Sequence, residues 1–348
     1  MPTLILNQAR CRVALISERL EILSPSLGEP DAEPERRTVS LLDVERVVAG
    51  ENTHFTPAAW AEMLRRQIPI QLFAWNGRFL GGFLPAQNQH GLSRLRQYQR
   101  TTDPAFALQM AGRIIAAKIY NQRRVIQRLR ANRTLTQSTP ATPANSDPGQ
   151  ATLAWLDTSL AQAARARSLG ELRGHEGAAT ARYFQAWADC LPAAFPFEQR
   201  STRPPLNPVN ACISFGATLL YHEAVAFIHA HGLDPALGLL HATENGRWSL
   251  ALDLIEPFRP VLVEALALDL FSHQILNTSH FDARDGGCYL NEAGRKKFFF
   301  QYERRMERQF LSECVGHRTT LRQQLEHQAV QFKSALDQPE KFEPFLMN

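Results

Sequence analysis

The sequence predicts an α+β fold, with a small N-terminal β-strand domain followed by a larger all-α C-terminal domain. At ~150 residues per domain, 348 residues suggest about two domains, and 44% hydrophobic with 21% charged residues describes an ordinary globular chain. Up to about residue 90, apolar residues come in short runs separated by turn residues. Beyond residue 92 they recur at 3.6-residue spacing. The expected boundary therefore divides 1–91 from 92–348.

Thr3 to Leu6, Arg12 to Ile16, Leu20 to Leu23, Arg46 to Val48 and Ile68 to Ala74 read as strands, with Pro25 to Arg37 as a connection. Thr56-Pro57 is an N-cap and first-turn pair opening a helix that carries Trp60, Met63 and Leu64. Asn76-Gly77 reads as a hairpin turn. A long helix opens at Asp103-Pro104, with Phe106, Met110, Ile114, Ile119, Ile126 and Leu129 at helical spacing. Residues 134–151 contain three prolines and the single charge Asp147, so they read as a flexible insertion. Further helices are expected over Gly177 to Trp187, Ser214 (as N-cap) to Ala230, Pro260 to Leu276, Asn291 to Phe310 and Thr320 to Leu336.

No apolar run approaches the ~18 residues that cross a bilayer, so a soluble protein away from membranes is expected. Five scattered cysteines (Cys11, Cys190, Cys212, Cys288, Cys314) form no Cys-x-x-Cys pair, which points to reduced thiols in a cytoplasm. No Gly-Lys dipeptide provides a phosphate-binding loop, and His222-Glu223 lacks the second histidine of a zincin.

The net charge of +4 is unevenly spread. Residues 1–90 hold ten acidic and nine basic side chains, whereas 91–136 hold ten basic ones, including Arg113, Lys118, Arg123, Arg124, Arg128 and Arg133, against Asp103 alone. A second cluster, Arg295 to Lys297 with Arg304, Arg305 and Arg308, interleaves with Phe298 to Phe300 and Tyr302. Arginine-rich helices suit a phosphate backbone, because each neutralised phosphate releases counterions, although a solvated helix face looks the same in sequence.

The stretch Ser249 to Pro260 places Asp253 and Glu256 three residues apart among Leu, Ile and Phe. On a helix both carboxylates share one face, and apolar surroundings demand that something neutralise them. An ion pair with Arg259 would do so, as would a hard divalent cation, Mg²⁺ or Mn²⁺. Glu176 lies at a small-residue helix start, where it would also suit the helix dipole, and His241 follows two leucines in a loop, where a core role is equally natural.

Three motifs in this order resemble the CRISPR-associated integrase family, the first Cas protein (Cas-one): Gly174-His175-Glu176-Gly177 through Phe184, Gly232-Leu233-Asp234-Pro235 through His241, and Asp253 through Pro260. Arg203-Pro204-Pro205-Leu206-Asn207-Pro208-Val209-Asn210-Ala211 is also typical of that family, and Val47 to Gly50 with Ile68-Pro69-Ile70 and Asn76-Gly77-Arg78 resembles its β domain. The resemblance implies a homodimer acting with a small second protein of CRISPR adaptation. It also implies a divalent metal on Glu176, His241 and Glu256 with Asp253 nearby, and a reaction in which a protospacer 3′-hydroxyl attacks a CRISPR-repeat phosphodiester. Nuclease activity would follow when water replaces that hydroxyl. Arg113, Arg123, Arg124, Arg128, Arg203, Asn210, Arg259 and Lys297 are expected DNA-binding or supporting residues. On the residues alone, a nuclease of branched DNA in repair and a non-enzymatic nucleic-acid-binding protein are the rival readings.

Overall fold

The computed structural model describes residues 3–6, 10–25, 33–74, 79–83, 85, 91–136, 148–313 and 315–348. The N-terminal part consists of strands Thr3–Leu6 (β1), Arg12–Ile16 (β2), Arg19–Ser24 (β3), Glu35–Ser40 (β4), Arg46–Gly50 (β5), His54–Phe55 (β6), Ile70–Phe73 (β7) and Phe79–Phe83 (β8), with helix Pro57–Arg65 (α1) between β6 and β7. One sheet has the order β1-β5-β7-β8, its first three strands parallel and β8 antiparallel. The other has the order β4-β3-β2-β6, antiparallel except for the parallel β2–β6 pair. Thr56 caps α1 as expected, its Oγ1 accepting from the Ala59 N–H at 3.3 Å. Glu35 to Arg37 belong to β4 and not to the preceding connection. Their charges masked the strand because β4 is a solvent-facing edge, where charged side chains are tolerated. The expected Asn76-Gly77 turn lies outside the described residues; β7 and β8 on either side of it pair antiparallel.

The helical part follows as Gly91–Thr101 (α2), Pro104–Thr136 (α3), Pro148–Ala163 (α4), Leu169–Ala188 (α5), Pro208–Ala230 (α6) and Ser249–Ile255 (α7). A wide π-type turn over Arg259–Glu264 runs into Ala265–Ser272 (α8), before Glu292–Glu307 (α9) and Leu321–Ala335 (α10). This part is not all-α: Phe281–Arg284 (β9) pairs with Gly287–Leu290 (β10), and Phe310–Leu311 (β11) with Arg318–Thr319 (β12). Asp285 and Gly286, both at positive φ, form the two-residue turn between β9 and β10.

Three further boundaries differ from expectation. The proposed insertion is helical at both ends, since α3 continues to Thr136 and α4 starts at Pro148, where proline's missing N–H costs nothing; residues 137–147 lie outside the described residues. Ser214 is not a cap. Asn207 starts α6, its side chain accepting from the Asn210 N–H at 2.8 Å with Pro208 in the first turn. Ser168 caps α5, which starts at Leu169, so Glu176 stands in mid-helix and the helix-dipole role fails.

Helix α6 is the axis of the helical part. It is 23 residues long and apolar enough to span a bilayer by length and composition, contrary to the expectation from runs of apolar residues, but 67% of its most apolar window is covered by the rest of the protein. Val47, Ala49 and Ile70 face one core with Leu4, Val13, Leu20 and Met63, whereas Val48 and Phe73 of the same strands join the core around α6. The β1-β5-β7 sheet is thus apolar on both faces, as parallel strands usually are.

A buried ionic cluster joins the two parts. Arg46 of β5 reaches Glu223 of α6 at 2.8 Å, Arg322 of α10 binds the same carboxylate at 3.2 Å, and Glu303 and Glu307 of α9 complete the set on Arg322. Burial opposes ionisation of Glu223, but the two guanidiniums outweigh it and hold the carboxyl down at about 2. Cys11, Cys190, Cys212 and Cys288 are unbridged.

Candidate metal centre

Helices α3, α5 and α7, with the loop ahead of α7, bring the predicted residues to one place. Glu176 projects from α5 and Glu256 caps the C-terminal end of α7. Lys118 of α3 lies between them, forming ion pairs with Glu176 Oε1 and, at 2.5 Å, with Glu256 Oε2. The Lys118 and Glu256 side chains are each only 4% exposed, while Glu176 is 23% exposed on the open side. The second Glu256 oxygen, Oε1, accepts from Arg259 at 2.9 Å. Burial would raise the Glu256 carboxyl, but Arg259 and Lys118 together hold it at about 2, so it stays ionised at every working pH.

His241 is positioned through Asp253. That side chain is fully buried on α7, and both its oxygens are consumed by the loop before it: Oδ2 accepts from the Leu239 and Leu240 N–H groups at 2.6 and 3.1 Å. Oδ1 accepts from the His241 N–H at 3.0 Å and from His241 Nδ1 at 2.6 Å. Burial disfavours a charged His241, yet the hydrogen bond to Asp253 and the charges of Asp253 and Glu256 prevail and raise its pKa. With Nδ1 on the carboxylate, Nε2 is the nitrogen left for a ligand, and the ring is 32% exposed. Asp253 thus orients the imidazole and shapes the loop instead of offering a free oxygen.

Two further devices hold this loop. Arg173, three residues before Glu176 on α5, donates from Nε at 3.1 Å and from Nη2 at 2.5 Å to the Leu240 carbonyl, tying the loop to the helix that carries Glu176. At Gly238, a Cβ would lie 2.1 Å from the His241 carbonyl oxygen and 2.5 Å from the Ser249 Cβ, so only glycine fits. Replacing Gly238 with Ala is therefore expected to push the His241 loop off Asp253 and, if the site takes a divalent cation, to weaken that binding by about 10–100-fold, the usual scale for disturbing support behind a ligand. Titration with Mn²⁺ checks it, and an unchanged affinity would show that the loop does not hold the ligand.

Neither Lys118 nor Arg173 was singled out in the sequence. Lys118 was hidden in a run of basic residues, although it stands four residues from both Ile114 and Gln122 on the buried face of α3. Gln122 continues the same contact row, donating at 3.1 Å to Thr180, which in turn donates at 3.2 Å to Glu176. Among the described residues no three His, Cys, Asp or Glu side chains are gathered as a ready-made metal cage. The donor set nevertheless fits a hard divalent cation: two carboxylates, one of them buried with no polar neighbour for Oε2 but the Lys118 ammonium, and one imidazole with an oriented Nε2.

The expected DNA-contacting residues divide. Asn210 is buried and saturated, its Oδ1 accepting from Arg200 and the Ser201 N–H and its Nδ2 donating to the Gln199 carbonyl, so it organises a turn and cannot meet DNA. Arg113 is committed to the Glu340 and Phe342 carbonyls, Arg259 to Glu256, and Arg123 to Asp157. Arg203 is exposed, and Lys297 is exposed with its ammonium on the Ile275 carbonyl. Arg124 and Arg128 of α3 lie near Arg305 and Arg308 at the end of α9. Burial and then the charges of Arg124, Arg308 and Arg305 lower the Arg128 pKa. One end of each basic cluster therefore meets at Arg128, although Arg305 is itself paired with Asp269 at 2.8 Å and Arg128 donates to the Asn348 carbonyl at 2.6 Å.

A family model described as CRISPR associated protein Cas1 matches residues 4–304. The chain is 35% identical over 318 residues to a CRISPR-associated exonuclease Cas4/endonuclease Cas1 fusion of Geobacter sulfurreducens, covering 90% of this chain but only 53%, about half, of the fusion. It is 31% identical over 308 residues to the CRISPR-associated endonuclease Cas1 3 of Thermus thermophilus, covering 88% of this chain and 86% of that protein. Among solved structures, a casposase bound to integration product superimposes with a TM-score of 0.82 at 20% identity, covering 97% of this chain and 91% of that one, which establishes the likeness of fold. A Cas6-RT-Cas1–Cas2 complex superimposes with a TM-score of 0.76 at 25% identity, covering all of this chain and 36% of that one.

Proposed function

The chain belongs to the CRISPR-associated Cas1 family, and from that premise we propose that it is a metal-dependent DNA integrase and endonuclease of CRISPR adaptation. The observation that carries this reading is the meeting of Glu176 and Glu256, from helices far apart in sequence, on one buried cationic group beside an oriented His241. In this reading the 3′-hydroxyl oxygen of a protospacer strand forms a bond to a repeat phosphorus and the repeat's own 3′-oxygen leaves. One phosphodiester replaces another, so no nucleotide hydrolysis is required. Glu176, Glu256 and His241 would hold a divalent cation, Mg²⁺ or Mn²⁺, which when bound would supply Lewis acidity. Asp253 keeps the imidazole turned with Nε2 outward, Arg259 keeps Glu256 ionised, and Arg173 fixes the spacing between the two ligand-bearing segments. Water in place of the 3′-hydroxyl makes the same site a nuclease.

The working unit is a homodimer in the cytoplasm, assembled with a small second adaptation protein; the relative solved together with Cas2 supports that partner. The test is strand joining of a short DNA duplex into a repeat-bearing plasmid with Mn²⁺ or Mg²⁺. Joined product that depends on both the repeat and the metal is expected. Cleavage of branched DNA without joining would favour a repair nuclease, and neither activity would leave only nucleic-acid binding.

The neighbouring Arg124, Arg128 and Arg308 are the proposed track for the DNA backbone. Exchanging Arg124, Arg128 and Arg308 for Gln is expected to weaken duplex binding and lower the slope of log affinity against log salt by about 2–3, close to 0.9 per lost phosphate contact. Fluorescence anisotropy across a salt series measures it, and an unchanged slope would mean this face is merely solvated.

A further inference from the structure

We infer that Lys118 is an internal counter-cation that holds the metal ligands together in the metal-free protein and is displaced from them when the divalent cation enters. The inference rests on the metal-site reading above. Glu176 Oε1 and Glu256 Oε2 both point at the Lys118 ammonium, and the other Glu256 oxygen is taken by Arg259. Each Glu256 oxygen thus already faces a cationic group, with which an arriving metal would have to share it. Releasing Arg259 would free Glu256 alone, whereas releasing Lys118 frees both ligands at once.

Charge points the same way. A divalent cation on those oxygens would sit within a few ångströms of the ammonium, and two positive charges so close in a water-poor pocket repel strongly. Lys118 also has somewhere to go. Its four-carbon stem is flexible, and Glu176, His241 and Arg259 around it are each partly exposed to solvent. Without Lys118 the metal-free site would hold two facing carboxylates with only Arg259 between them and repulsion, so the lysine keeps an otherwise self-repelling pocket folded.

The experiment compares Mn²⁺ binding to the full chain by calorimetry for the wild type, Glu176→Ala and Lys118→Met. Lys118→Met, which keeps the length and removes the charge, is expected to bind Mn²⁺ about tenfold more tightly. Its metal-free melting temperature should fall, and its rise on adding Mn²⁺ should exceed that of the wild type. Equal or weaker binding by the variant overturns the inference, since a residue that merely braces the ligands would lose affinity when removed. If the wild type binds no Mn²⁺, or binds it as well after Glu176→Ala, the metal-site reading itself has failed, and this inference with it. A second measurement needs no variant: reductive methylation of wild-type lysines, read by mass spectrometry, should leave Lys118 protected without Mn²⁺ and modified with it. Protection in both states overturns the displacement.

Discussion

Glu176→Ala and His241→Ala are each expected to reduce strand joining by about 10³-fold or more while leaving the fold intact, an effect on the scale of losing preorganised charge stabilisation at a reacting phosphate. The two should fail in different ways. Glu176 is partly exposed and removes a negative charge, so its loss leaves Lys118 with Glu256 alone and should cost little stability. Loss of the His241 ring leaves the buried Asp253 with its three backbone N–H donors, so the loop should keep its shape while the nitrogen ligand is gone. Circular dichroism and thermal melting would confirm folding, and the joining assay in Mn²⁺ and Mg²⁺ reads the loss. Joining by either variant at the wild-type rate would remove that residue from the proposed ligand set.

The second large effect concerns stability. Arg322→Leu is expected to destabilise the chain by about 3–5 kcal/mol, because it strips the buried Glu223 of one of its two guanidiniums and removes the cation that Glu223, Glu303 and Glu307 share. The pH dependence gives an independent check. The Glu223 carboxyl is held at about 2 against an ordinary value of 4.5, so its contribution is present above about 4.5 and is lost as the pH falls from there toward 2. Urea unfolding at pH 7 and pH 3 should therefore show the wild type losing more stability on acidification than Arg322→Leu. Equal acid sensitivity would place the stabilisation elsewhere.

What the sequence revealed of this site depended on local context. Asp253 and Glu256 were conspicuous because carboxylates stand out in an apolar helix, and their burial bears out the demand for neutralisation, though by different means: backbone N–H groups for Asp253, two cations for Glu256. Glu176 and His241 carried no such contrast and drew their meaning from motif resemblance. Lys118 escaped because charge counted along a segment cannot tell an inward lysine from the outward arginines beside it; only the phase of α3 does. The same blindness made Arg113, Arg123 and Asn210 look available when the carbonyls and carboxylate that occupy them come from distant residues or, for Asn210, from a turn the sequence does not announce. Strand β4 was shortened for the converse reason, its edge position permitting residues that hide a strand's alternation.

The double-sided burial of β5 and β7 has a bearing on how this protein could be cut and reused. Val48 and Phe73 complete the core around α6, and Arg46 shares Glu223 with Arg322, so neither part has a finished surface at the boundary near residue 91. Residues 92–348 expressed alone would therefore present an unsealed apolar face and a half-compensated carboxylate. For engineering, a cut at the junction between strands and helices would sever Val48 and Phe73 from the core they complete and Arg46 from Glu223.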